Sequence, residues 1–197
     1  MHKKVISLLF LFGALFTHQT KLYAKDGSFS KERKLLLFST GLLPSAFMWQ
    51  VFSHESTHAI TTKQMGYDVE GFYPYPHKLK GKFFLGRVRR EIGKSTPKQV
   101  YISMAPAIGN IGTVALTSIL LETEAVKPKT YLGAALYTYG IVAPLVDFGF
   151  NFFVGTDWKK TRRKLSFKHE IPLNILGILT LAANSYLAYR YGKKIYW

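Results

Sequence analysis

The sequence predicts an all-α polytopic membrane protein, with about four transmembrane helices after an N-terminal signal segment and a small β-element between the first and second spans. Two observations carry that prediction. Charges are nearly absent from four long windows and crowd into the segments between them, which is how a chain that crosses a bilayer repeatedly is written. The chain is also 48% hydrophobic while carrying a net charge of +16. A basic soluble domain could share those totals, but here Lys and Arg flank apolar spans instead of forming one stripe, so no nucleic-acid partner is expected. There is no Cys, so any metal must be held by His, Asp or Glu.

Met1 to Ala24 begins with His2, Lys3 and Lys4, continues with the apolar run Val5 to Phe16 and reaches Leu22-Tyr23-Ala24. This is the layout of a signal peptide, cleaved after Ala24 or retained as a signal anchor. Residues 25–197 then form a single membrane-embedded domain. After the polar link Lys25 to Lys34, the stretch from Leu35 to about Thr62 reads as a helix apolar enough to span, with a kink expected at Pro44. Lys63 to Lys98 is basic, and within it Asp68 to Tyr75 and Lys82 to Val88 partly alternate around Lys80-Gly81, the pattern of two or three short strands. Gln99 to Leu121, Tyr131 to about Gly155 and Ile171 to Tyr189 are the remaining spans. Glu122 to Thr130 and Thr156 to Glu170 connect them.

Lys63 to Lys98 holds nine Lys/Arg and Thr156 to Glu170 holds six, whereas Glu122 to Thr130 balances two Lys against two Glu. The positive-inside rule therefore puts both basic loops in the cytoplasm, most simply at a bacterial inner membrane. An exported residue 25 followed by a span running inward reaches the same orientation. His54 and His58 then lie at the inner end of the first span, and Asp147 towards the inner end of the third.

His54, Glu55 and His58 form an H-E-x-x-H within Val51 to Thr62. On a helix, residues four apart share a face, so both imidazoles can bind one metal while Glu55 reaches a water on it. A catalytic zinc keeps three protein ligands and an open position. Asp147 is the preferred third ligand, because an ionisable group inside a span is expensive and usually functional, and the third span holds no Lys or Arg to pair with it. Asp157 is the next choice. His77 and His169 lie in loops and read as solvated. Glu55 would be the general base, and the Asn110 side chain could donate to the developing oxyanion or simply pack helices together.

With those residues in view, the chain resembles the site-2 protease family of intramembrane zinc metalloproteases. His54 to Ala59 ends an apolar helix, and Met65 to Gly71 resembles the family's strand-forming Gly-x-x-Val stretch. Ala105-Pro106 to Asn110 resembles its Gly-Pro-x-x-Asn segment, and Pro144 to Asp147 its Asp-Gly motif, over roughly residues 35 to 158. Ala105 stands for the Gly, Asn110 is one residue further from Pro106, and Phe148 separates Asp147 from Gly149. The resemblance implies one zinc per chain, held by His54, His58 and Asp147, with Asn110 beside the site. It also implies hydrolysis of peptide bonds in or near a transmembrane segment of a membrane-protein substrate, bound by strand addition. Two rivals are a metal-binding protein of the same fold without catalysis, which has no need of Glu55, and a basic scaffold for anionic lipid, which leaves the histidines unexplained.

Overall fold

The computed structural model describes residues 29–79, 81–90, 96–154, 156–165 and 167–197; the expected signal segment, Met1 to Ala24, lies outside the described residues. Helix α1 is Lys31–Gln64. Ser30 caps it by accepting from the Arg33 backbone N–H at 3.4 Å, and Glu32 complements the positive end of its dipole. The helix continues through Pro44. Its length of about 50 Å exceeds a bilayer core of roughly 30 Å, so one end extends beyond the hydrocarbon.

Four short strands follow: β1 Val69–Tyr73, β2 His77–Leu79, β3 Lys82–Phe84 and β4 Arg87–Arg90. β2 and β3 pair as a hairpin in the register Lys78↔Phe83, its turn helped by Gly81 at φ +76°. The outer strands β1 and β4 pair antiparallel around it in the register Phe72↔Val88. Helix α2 is Thr96–Glu122. Helix α3, Tyr131–Phe153, starts at Thr130, whose hydroxyl accepts from the Gly133 N–H at 3.0 Å, and widens to a π-turn at Thr138–Val142. That turn precedes Pro144, which has no N–H to offer the carbonyl four residues back.

The basic connection after the third span is itself a helix, α4 Thr156–Lys164, with Asp157 in its first turn and Arg162, Arg163 and Lys164 in its last, the order the helix dipole favours. Helix α5, Phe167–Tyr196, is longer than the expected fourth span. α1, α2, α3 and most of α5 are each long and apolar enough to cross a membrane. Their outward side chains, such as Leu116, Ile119, Leu176 and Leu179, are exposed, as lipid-facing residues are.

The two apolar clusters lie at one end of this bundle. Leu35, Ala134 and Ile195 form one, and Leu121, Ile141 and Tyr191 the other, uniting the start of α1 and α3 with the end of α2 and α5. At the opposite end polar contacts join α1 to α2 and α3, and the candidate site is there.

Candidate metal centre

Gln50, His54 and His58 follow one another at four-residue steps along one face of α1. The two imidazole rings lie 4.9 Å apart, centroid to centroid, at 74°. Each ring is held by its Nδ1. His54 Nδ1 donates to Asp147 Oδ2 at 2.9 Å, and His58 Nδ1 donates to the Ile102 carbonyl of α2 at 2.9 Å. The nearest acceptor of each ring, at 2.9 Å, faces Nδ1; with the proton of each neutral ring held there, both Nε2 atoms present lone pairs. Those lone pairs face Asp157 Oδ2, at 3.4 Å from His54 and 3.1 Å from His58. Three acceptors pointing at one another repel unless a cation lies among them or the rings are doubly protonated. The three donor atoms lie within 4.8 Å of one another, and two imidazoles with one carboxylate are a donor set suited to zinc.

Asp157 reaches this position because its neighbour is an anchor. Trp158 is buried, packs on Phe148 and Phe152 of α3 with ring centroids 5.8 and 4.9 Å away, and donates from Nε1 to Asn174 Oδ1 of α5 at 3.3 Å. Gly177 of α5 lets that indole approach; a Cβ there would meet Trp158 at 2.6 Å.

Asp147, expected as the third ligand, lies across the His54 ring from Asp157. Its carboxylate is surrounded by donors: besides His54 Nδ1, it accepts from Asn110 Nδ2 at 2.7 Å, from Asn151 Nδ2 at 3.0 Å and from Gln50 Nε2 at 3.5 Å. Asn110, expected at an oxyanion, has its amide engaged at both ends, since its Oδ1 accepts from Gln50 Nε2 at 2.6 Å. His54, Asn110, Asp147, Asn151 and Asp157 line a cavity of about 20 Å³, room for a water or a bare ion but not for a peptide.

Glu55 is covered by the β-element. Gly86, between β3 and β4, lies so close that a Cβ would meet the Glu55 side chain, with Oε1 at 3.0 Å, and Val51 at 2.9 Å. Arg90, at the end of β4, stands within the field of both Asp157 and Glu55. Glu70, on β1, pairs at the surface with Arg89 at 3.4 Å. His77 is in β2, where Nδ1 donates to the Tyr75 carbonyl, and His169 is in the first turn of α5; neither joins the donor group among the described residues. Sequence reasoning missed Gln50 and Asn151. The available signal was spacing: Gln50 is four residues before His54, and Asn151 four after Asp147.

Comparison of the chain with protein-family models, with curated proteins and with solved structures finds no match in any of the three.

Proposed function

We propose that this chain is an intramembrane zinc metalloprotease of the site-2 protease kind, sited in a bacterial inner membrane with its basic segments in the cytoplasm. One zinc per chain would be held by His54 Nε2, His58 Nε2 and Asp157, and Asp147 would orient His54 from the other side, the carboxylate–histidine arrangement common around zinc. The observation that carries this reading is the pair of imidazoles, each with Nδ1 beside a fixed acceptor and turned so that both Nε2 atoms meet the Asp157 carboxylate. Bound zinc supplies Lewis acidity, lowering the pKa of water and polarising a carbonyl.

The chain's own residues do the rest. Glu55, next to His54 and three residues before His58, takes a proton from the attacking water on its carboxylate and returns it to the leaving amine nitrogen. The Asn110 amide is committed to Gln50 and Asp147, so it serves the site by holding Asp147. Arg90 brings positive charge towards Glu55 and Asp157, where it can stabilise a developing oxyanion. The covering at Gly86 and the small cavity mean that a polypeptide enters only when the β-element and helices part.

The test is zinc content and cleavage in detergent-purified protein, with a transmembrane-helix reporter as substrate. The wild type holds about one zinc and cuts the reporter, Glu55→Gln holds zinc and does not cut, and His58→Ala holds none. A folded wild type without zinc refutes the metal reading; a Glu55→Gln variant that cuts like wild type refutes the role of the base.

A further inference from the structure

We infer that Gln50 is a positioning residue for the metal centre, setting the direction of the Asn110 amide and through it the Asp147 carboxylate that holds the His54 ring. The inference rests on the zinc reading above.

Gln50 is 5% exposed and lies in the apolar part of α1, and its partner Asn110 on α2 is also 5% exposed. A buried primary amide is costly in such a place unless its hydrogen bonds are made. Gln50 Nε2 lies 2.6 Å from Asn110 Oδ1 and 3.5 Å from Asp147 Oδ2. The carboxylate can only accept, so it selects the orientation of Gln50 that turns the NH₂ inward. That NH₂ in turn selects the orientation of Asn110 that presents Oδ1 to Gln50, leaving Nδ2 to donate to Asp147 at 2.7 Å. Without Gln50, Asn110 can reverse and point an oxygen at a carboxylate oxygen, two acceptors face to face. Asp147 would then keep only Asn151 from the amides, on its other oxygen, and the His54 ring would lose the fixed partner that aims its Nε2 at Asp157. Among the described residues the hydrogen bonds of the Gln50 side chain go to Asn110 and Asp147, so its effect runs through them.

The experiment is zinc affinity of the full chain in detergent, measured by competition with a chromophoric chelator, with the visible spectrum of the cobalt form as a second readout. Gln50→Met keeps the volume and removes the donor; it is expected to weaken zinc by about 10–100-fold and to change the cobalt spectrum. Gln50→Ala removes the donor without filling the space and carries the same expectation should the Met variant fail to fold. In an Asn110→Leu background the Gln50 substitution should add little, because the relay is already broken. A merely structural Gln50 gives a different result: fewer folded molecules or a lower melting temperature, but wild-type affinity and spectrum in those that fold. That result overturns the inference, as does full additivity with Asn110→Leu. Failure of the underlying reading is seen separately, as His58→Ala binding zinc like the wild type or the wild type binding none, and it overturns the inference as well.

Discussion

Replacing Asp157 by Asn should cost more zinc affinity than replacing Asp147 by Asn, and the structure says why. Asp157 Oδ2 faces both Nε2 atoms, at 3.4 and 3.1 Å, while Asp147 Oδ2 meets His54 at Nδ1, at 2.9 Å, on the side of the ring away from Nε2. Zinc held by four ligands is bound by about 10–16 kcal/mol, or roughly 2.5–4 kcal/mol per ligand, so losing one ligand weakens binding by about 10²–10³-fold. Losing an orienting carboxylate weakens it by about 10–100-fold. Both substitutions keep side-chain volume. Among the described residues, the other ion pair of Asp157 is an i,i+3 contact at 3.6 Å with Lys160, whose side chain is largely exposed, and such pairs contribute little to folding. Chelator competition on the two variants and the wild type, with metal analysis of each, measures the order. A larger loss for Asp147→Asn would put that residue on the metal and refute the assignment of Asp157.

Three further outcomes follow from close contacts and from composition. Gly86→Ala drives a methyl into Glu55 and Val51 and should lower stability by about 1–3 kcal/mol, read as a drop in melting temperature, while zinc affinity stays near wild type because no donor moves. Gly177→Ala pushes on Trp158 and should lower stability by a similar amount, about 1–3 kcal/mol. It should also weaken zinc measurably, because Asp157 moves with its neighbour; unchanged affinity would show that Trp158 does not position it. The chain has no Cys, so single cysteines map its orientation without background. Lys127→Cys, in the short link, should react with an impermeant maleimide on intact cells, and Lys159→Cys, on α4, only after the membrane is opened; the reverse pattern inverts the topology.

The four spans were legible because each is a local property of the chain, a window of apolar residues between charges that needs no partner to be recognised. The strand pairing was not legible to the same degree. β1 and β4 meet across the whole β2–β3 hairpin, with Val69 opposite Arg90, and nothing local in the alternating stretch around Val69 specifies a partner some twenty residues on. α4 read as a basic connection because TDWKKTRRK shows no apolar stripe; its single apolar anchor, Trp158, is buried only once α3 and α5 stand beside it.

The same division runs through the candidate metal centre. His54 and His58 could be paired on sight, since a four-residue step is a property of one helix. The third donor depends on tertiary packing, which the sequence around Asp147 does not contain. A carboxylate inside a span does need compensation, and without a Lys or Arg in its own helix a metal seemed the natural source. The structure compensates it with neutral groups instead, the amides of Gln50, Asn110 and Asn151 and the Nδ1–H of His54. A buried carboxylate with several donors is satisfied without a metal. Two of those donors come from α1, where Gln50 stands one turn before His54 on the face that already carried the motif. The polar residues of that face, Gln50 as well as the two histidines, therefore mark where α1 meets α2 and α3, whether or not they can ligate a metal.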